Sequence, residues 1–171
     1  MMIFLIGFMG SGKTTVGKRL AKALAMEFVD LDELVEQSSG KSITQLFEAG
    51  EKSFRVKETA VLKKTSSLQN VIVATGGGTP CFNENMTWMN RHGITIYIKM
   101  STGSLYRRLS QAKEERPLVA GKKGDELKSF VEKVVAEREK YYIKALYTVK
   151  GEDLDIKSLA GWIREKQATF N

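Results

Sequence analysis

The sequence predicts one α/β domain of three layers, in which helices cover both faces of a parallel sheet of about five strands. Short apolar runs, typical of buried parallel strands, alternate along the chain with longer segments of helical periodicity. The candidate strands are residues 2–6, 28–32, 71–74, 94–98 and 146–149. Because the chain has 171 residues and contains no internal repeat, we expect a single domain over residues 1–171.

Helices are predicted where apolar residues recur every three or four positions. The helix after the first strand carries Val16, Leu20 and Leu24 on one face. The others are predicted over residues 33–37, 42–49, 51–68, 83–91, 101–109, 127–142 and 156–163. Strands and helices therefore alternate from one end of the chain to the other, as a parallel sheet with crossover helices requires.

Composition favours an enzyme that handles anions over a nucleic-acid-binding domain. The net charge is +7, but Lys and Glu are interspersed without a long basic run, and no nucleic-acid-binding motif is present. Cys81 is the only cysteine, which excludes an intrachain disulfide and agrees with a cytoplasmic location. No segment is apolar over the length that a membrane span requires, so we expect no membrane partner.

Residues 7–14, Gly-Phe-Met-Gly-Ser-Gly-Lys-Thr, match the phosphate-binding pattern G-x-x-x-x-G-K-[ST] between a strand and a helix. The glycines let backbone N–H groups point inward, and the helix that follows adds its positive N-terminal end. Lys13 is placed to reach the β- and γ-phosphates, and the Thr14 hydroxyl to bind Mg²⁺. The predicted ATP-binding residues of this loop are Gly10, Ser11, Gly12, Lys13, Thr14 and Thr15.

Asp30 and Asp32 stand at the end of the second candidate strand. Side chains two positions apart share a face of an extended segment, so both carboxylates are expected in one cleft at the sheet edge. One would belong to the Mg²⁺ shell, and the other would accept a proton or hydrogen bond from a substrate hydroxyl. The alternative is a helix N-cap, which also favours Asp; beside a phosphate loop we favour the functional interpretation.

Gly76, Gly77 and Gly78 follow the third strand, where three glycines in a row allow a ligand to approach the main chain. Arg55 and Glu58 are neighbours on the preceding helix. Taken alone, this pair is expected to be a solvated ion pair of little energetic consequence.

Residues 110–124 are polar and charged, with Arg116-Pro117-Leu118 in the middle. With little apolar content to bury, the segment is expected to be a mobile lid that orders when ligand arrives. Arg116 would place a guanidinium on the transferring phosphoryl group; the alternative is a surface loop with an incidental arginine. His92 and Cys81 are expected to be non-catalytic.

These motifs, in this order, resemble the shikimate kinase family over nearly the whole chain. The motifs are the phosphate loop 7–14, the pair Asp30 and Asp32, Phe54-Arg55 with Glu58, Gly76 to Gly78, Arg116 to Leu118, and Arg138 followed by Tyr142. The resemblance implies a fold like that of P-loop nucleoside monophosphate kinases. It also implies a substrate-binding helical region over about 32–62. One departure is Lys140, where the family usually has proline.

The resemblance implies Mg²⁺-ATP-dependent phosphorylation of the 3-hydroxyl of shikimate in aromatic amino-acid biosynthesis. We expect the protein to act as a monomer, although its sequence does not reveal the oligomeric state. Lys13, Asp32 and Arg116 would be catalytic, and Asp32 would orient or deprotonate the hydroxyl. The substrate site would comprise Asp32, Arg55, Gly76, Gly77, Gly78 and Arg138, with Arg55 and Arg138 on the carboxylate and Gly77 offering its N–H. Thr14 would bind Mg²⁺ directly and Asp30 through water. Arg108 would lie over the adenine.

Two other classes remain to be distinguished. Another small-molecule kinase, such as a gluconate or nucleoside monophosphate kinase, would share the phosphate loop but is disfavoured by the Asp-x-Asp and Gly-Gly-Gly stretches. A nucleotide-dependent switch of the GTPase type would carry Asn-Lys-x-Asp, which the sequence lacks.

Overall fold

The computed structural model describes residues 1–112 and 117–170, and its centre is a five-stranded parallel sheet. The strands are β1 (Met2–Ile6), β2 (Glu27–Asp30), β3 (Val71–Ala74), β4 (Ile94–Lys99) and β5 (Tyr147–Lys150). Their order is β2-β3-β1-β4-β5, and β1 pairs in parallel with both β3 and β4. The chain thus leaves β1 towards one edge of the sheet and later crosses to the other. A ligand crevice is expected at the carboxyl end of β1, where this change of direction occurs.

Eight helices accompany the sheet among the described residues. They are α1 (Lys13–Leu24), α2 (Leu31–Ser39), α3 (Ile43–Glu48), α4 (Glu51–Lys64), α5 (Asn85–His92), α6 (Thr102–Ser110), α7 (Gly124–Tyr142) and α8 (Ile156–Phe170). Short 3₁₀ turns lie at Thr65–Ser67, Thr79–Cys81 and Pro117–Val119. None of the helices in the described part of the chain is both long and apolar enough to cross a membrane.

The two faces of the sheet are buried against different helices, because alternate side chains of a strand point to opposite sides. Ile3 and Leu5 of β1 pack in a cluster with residues of α1 and α8. Phe4 and Ile6 pack in a second cluster with residues of α2, α4, α5 and α7. The prediction of three layers around a parallel sheet is confirmed.

The second strand is shorter than its sequence predicts. β2 ends at Asp30 and α2 begins at Leu31, so Asp32 lies in the first turn of a helix and the prediction of an extended segment through Asp32 is wrong. The cause is local: the Asp30 carboxylate accepts a hydrogen bond from the Asp32 N–H at 3.0 Å and so caps the helix.

Two further features differ from prediction, the end of α4 and the burial of the predicted lid. α4 ends at Lys64 rather than near residue 68, since the Thr65 hydroxyl bonds the Leu62 carbonyl at 2.7 Å and a 3₁₀ turn follows. In the predicted lid, Val119 is only 7% exposed and packs in the core, so the expectation of little apolar burial there is wrong. Arg116 lies outside the described residues, and the mobility of the lid stays a prediction.

Candidate active site

A cavity of about 680 Å³ opens at the carboxyl edge of the sheet beside β1. It is lined by most of the residues that the sequence singled out, which come from six separate parts of the chain. These are Gly10, Gly12, Lys13, Thr14, Thr15, Asp30, Asp32, Arg55, Gly76, Gly77, Gly78, Arg108 and Arg138. Ser11, a residue of the loop, is buried and does not line the cavity.

The phosphate loop has the conformation that its glycines permit. Gly10 and Gly12 adopt φ angles of 78° and 90°, a left-handed region where other residues are strained. Gly12 caps α1 without a side chain, so the first N–H groups of this helix have no side-chain cap. The Lys13 ammonium donates to the carbonyls of Gly7 and Phe8 at 2.8 and 2.9 Å. A positive helix end and a buried ammonium therefore meet at one end of the cavity.

Thr14 and Asp30 form the part of the site suited to a metal ion. The Thr14 hydroxyl donates to Asp30 Oδ2 at 2.8 Å, while Oδ1 is held by the Asp32 amide. Hydroxyl and carboxylate oxygens are the donors that Mg²⁺ prefers. The described residues contain no group of three or more His, Cys, Asp or Glu side chains that would hold a metal by themselves. A cation at this point would take most of its ligands from water and phosphate, as Mg²⁺ does in kinases.

Two carboxylates approach Gly76 from different elements. A Cβ atom at Gly76 would lie 2.9 Å from Asp32 Oδ1 and 2.9 Å from Glu58 Oε1, so only glycine fits between them. Asp32 therefore lies in the predicted cleft although it belongs to α2 and not to β2. Glu58 also lines the cavity, and sequence reasoning did not assign it to the site.

Arg55 is buried, which overturns its interpretation as half of a solvated pair. Its side chain is 6% exposed and that of Glu58 is 1% exposed, with Nη1 and Oε2 2.9 Å apart. On the other side, Nη2 lies 3.0 Å from the carboxylate of the half-exposed Glu51. The Thr79 hydroxyl donates to Glu58 at 2.6 Å and completes its pairing. The prediction that Arg55 and Glu58 are neighbours on one helix is confirmed. The face of α4 that carries them is buried, however, and not exposed to solvent.

Three aromatic rings surround the Arg55 guanidinium. The ring centroids of Phe47, Phe54 and Phe82 lie 5.3, 5.0 and 4.4 Å from its Cζ atom. A Cβ atom at Gly78 would collide with the guanidinium. The cation is thus fixed by ring faces, by carboxylates and by the glycine segment, with little freedom to move.

Arg138 offers a hydrogen-bond donor to the cavity. Its Nη1 is buried and has no hydrogen-bond partner among the described residues, and it lies 3.6 Å from the position of a Cβ at Gly77. A buried guanidinium nitrogen without a partner is costly unless a ligand accepts a hydrogen bond from it. α7 runs unbroken through Lys140 to Tyr142, so lysine in place of proline leaves Arg138 on the cavity wall.

Arg108 reaches the phosphate loop from α6. Its Nη1 donates to the Gly10 carbonyl at 3.2 Å, and its side chain is exposed.

Cys81 is half-buried, and burial raises the pKa of its thiol to about 11, so it is protonated at neutral pH. His92 is exposed at the end of α5, where its ring stacks on Trp88, and it does not line the cavity.

A protein-family model described as "Shikimate kinase" matches residues 9–166 of this sequence. The chain belongs to the shikimate kinase family. Proteins named shikimate kinase from Phocaeicola vulgatus and Bacteroides thetaiotaomicron are 43% and 42% identical over 156 and 154 residues. The matches cover 91% and 90% of this chain, and 89% and 88% of those proteins.

Solved structures of the shikimate kinase family have the same fold. The enzyme of Bacteroides thetaiotaomicron superposes with a TM-score of 0.90 at 39% identity, covering 98% of both chains. The Acinetobacter baumannii enzyme in complex with shikimate gives 0.86 at 31% identity, covering 99% of this chain and 94% of that one. A deoxyadenosine kinase from M. mycoides, at 19% identity and a TM-score of 0.58, shares the fold alone.

Membership of the shikimate kinase family confirms three sequence-based expectations: the P-loop kinase fold, the enzyme class and the shikimate kinase activity. The chain is therefore an ATP-dependent kinase.

Three features of the site were not predicted from the sequence. They are the burial of Glu58, the packing of Phe47 and Phe82 around Arg55, and the contact of Tyr142 with Gly77. The only local signal for these was the i, i+3 spacing of Arg55 and Glu58.

Proposed function

We propose that this protein transfers the γ-phosphoryl group of ATP to the 3-hydroxyl of shikimate, forming shikimate 3-phosphate and ADP. The hydroxyl oxygen forms a bond to the γ-phosphorus, and the bond from that phosphorus to the β–γ bridging oxygen breaks. The hydroxyl proton passes to the Asp32 carboxylate. The observation that carries the proposal is one cavity lined by the phosphate loop, by Asp32 and by Arg138, whose buried Nη1 has no hydrogen-bond partner among the described residues.

The nucleotide end of the cavity is built to hold a polyphosphate. We propose that N–H groups at the uncapped start of α1 act as donors to phosphate, with the charge of the Lys13 ammonium beside them. Thr15 completes the nucleotide contacts that we propose for this loop. Arg108, already bonded to the Gly10 carbonyl, is positioned above the loop, where we propose that it covers the adenine.

Mg²⁺ fits the pair of hard oxygen donors formed by Thr14 and Asp30, 2.8 Å apart at the start of α1. We propose that Thr14 binds the ion directly and that Asp30 binds it through water. When bound, the ion neutralises charge on the β- and γ-phosphates. The carboxylate of Asp30 cannot swing freely, because the Asp32 amide holds its second oxygen.

The acceptor end matches a small hydroxy acid. Arg55 and Arg138 present guanidinium groups, which bind carboxylates through paired N–H donors. Gly77, next to Arg138, offers its main-chain N–H. Asp32 accepts a hydrogen bond from the reacting hydroxyl and thereby orients its oxygen towards the γ-phosphorus. Catalysis then consists mainly of positioning and charge neutralisation, as phosphoryl transfer requires.

Arg116 and the segment 110–124 complete the proposal. We assign to Arg116 the stabilisation of charge on the transferring phosphoryl group, and to the segment the exclusion of water during transfer. Pro117 and Leu118, which follow Arg116 in the chain, line the cavity and support this placement. We also propose that the protein acts as a cytoplasmic monomer.

The test is a substrate panel with coupled detection of ADP. Shikimate, gluconate and nucleoside monophosphates are offered separately with ATP and magnesium, and Lys13→Ala serves as the inactive control. We expect turnover on shikimate alone. Turnover on gluconate or on a nucleotide, with none on shikimate, would reject the proposal.

A further inference from the structure

Tyr142 joins the two substrate-facing elements at the acceptor end of the cavity. It is fully buried in the last turn of α7, one helical turn beyond Arg138. Its hydroxyl donates to the Gly77 carbonyl at 2.6 Å across a sequence separation of 65 residues. One phenol thus connects the helix that carries a guanidinium with the glycine segment that follows β3.

The hydrogen bond fixes a peptide plane and not only a distance. The peptides of the described chain are trans, so the carbonyl of Gly77 and the N–H of Gly78 point in opposite directions. Holding the carbonyl towards Tyr142 therefore turns the Gly78 N–H to the other side. Three consecutive glycines have no side chains to restrict this plane, and without an anchor they would rotate more freely than any other residues.

A second connection holds the same turn of α7 to the sheet. The Tyr142 ring packs on that of Tyr97 in β4, with centroids 5.1 Å apart. The Tyr97 hydroxyl donates to Glu139 at 2.6 Å, and Lys99 donates to the other oxygen of that carboxylate at 2.6 Å. Glu139 is the residue next to Arg138. The helix therefore cannot slide or roll without breaking bonds to β4.

Electrostatics agree with this geometry. Burial raises the pKa of Tyr142, so the hydroxyl keeps the proton that it donates to Gly77. The Arg138 guanidinium lies close enough to oppose that shift. The arginine and the phenol therefore share one buried polar region beside the glycine segment.

We propose that Tyr142 is a positioning residue for shikimate recognition, which fixes the Gly77–Gly78 peptide, with its Gly78 N–H, and Arg138 as one carboxylate-binding unit. The proposal rests on the proposed function. Tyr142 does not line the cavity and touches no reacting group, so it acts through Gly77 and Arg138. Loss of its hydroxyl should loosen recognition of the acceptor and leave the nucleotide end unchanged.

The test is Tyr142→Phe, which keeps the ring and removes only the hydroxyl. We expect KM for shikimate to rise about tenfold, the effect of losing the positioning supplied by one hydrogen bond, with KM for ATP within about twofold of wild type. The preference for shikimate over its uncharged methyl ester should fall by a similar factor. Tyr141→Phe, one residue earlier and outside the buried contact, is the matched control and should change neither quantity.

Ile163→Val, a core substitution on the opposite face of the sheet, is the control that distinguishes a general loss of stability from a specific loss of shikimate recognition. It should lower the unfolding midpoint without raising KM for shikimate. If Tyr142→Phe leaves KM and ester discrimination unchanged in an enzyme that phosphorylates shikimate, the inference alone is overturned. If the ATP KM rises as much as the shikimate KM, the effect is structural and the inference also fails. If wild type does not turn over shikimate at all, the proposed function falls and the inference falls with it.

Discussion

Nη1 of Arg55 lies 2.9 Å from Oε2 of Glu58, and both side chains are almost completely buried on the inner face of α4. A buried guanidinium requires a partner, because an uncompensated charge in the interior is strongly destabilising. Glu58 is therefore necessary for Arg55 to be a fixed cation at the cavity wall, although Glu58 alone would repel an acidic substrate.

Glu58→Gln tests this dependence. The change keeps the size of the side chain and removes its charge, so we expect the free energy of unfolding to fall by about 3 kcal/mol. KM for shikimate should rise, because Arg55 is no longer held in place. Urea denaturation and steady-state kinetics measure the two effects. Glu48→Gln, an exposed change on α3, is the control. Equal stability of Glu58→Gln and the control would show that the pair does not hold the arginine.

Gly78→Ala tests the close approach of the glycine segment to Arg55. The added Cβ would collide with the guanidinium, so we expect a loss of about 1–3 kcal/mol of stability together with weaker shikimate binding. Gly103→Ala is the matched control, since a Cβ there meets nothing within 4 Å and the residue lies in α6. The control should be neutral or stabilising by up to about 1 kcal/mol. Similar thermal midpoints for both variants would refute the predicted collision.

Lys13→Ala tests the charge at the phosphate loop. We expect kcat/KM to fall by about 10³-fold, as when a preorganised charge-stabilising donor is removed. The exposed Lys22→Ala, on the same helix, should keep full activity. Initial rates and far-ultraviolet circular dichroism separate a catalytic loss from unfolding. Substantial turnover by a folded Lys13→Ala protein would contradict the assigned role.

Asp32→Asn tests the acceptor of the hydroxyl proton. The amide keeps the shape of the side chain but accepts no proton, so kcat should fall by about 10²- to 10⁴-fold. Binding of a non-hydrolysable ATP analogue, measured by calorimetry, should stay within about threefold of wild type. If ATP binding is lost together with turnover, Asp32 belongs to the nucleotide site instead.

Cys81 should be slow to alkylate. Burial raises its thiol pKa to about 11, and the thiolate is the reactive form, so little of it is present at pH 7.5. Iodoacetamide labelling followed by intact mass should be much slower for folded than for urea-unfolded protein. Equal rates for the two states would contradict the burial of this residue.

Local patterns allowed much of this site to be predicted, and non-local packing accounts for the rest. The phosphate loop was predictable because its spacing, strand and helix are contiguous in the chain. Asp32 was assigned to the right cavity but to the wrong element, because a cap by Asp30 competes with extension of β2. The burial of Arg55 depends on packing that its own helix does not encode.

The contact between Tyr142 and Gly77 had no local signal at all, since 65 residues separate the two. The sheet order places β3 on one side of β1 and β4 on the other side of β1. Only this order brings α7 to the glycine segment. Likewise, no rule of spacing reveals whether the helix continues past Lys140; in the structure α7 runs unbroken to Tyr142.

The most direct test of the account is phosphorus NMR of the purified protein with ATP, magnesium and shikimate. The account predicts stoichiometric conversion of ATP to ADP and one new phosphate monoester at the 3-position of shikimate, with negligible ADP formed when shikimate is omitted. ATP that remained intact in the complete mixture, or ADP that formed equally without shikimate, would contradict it.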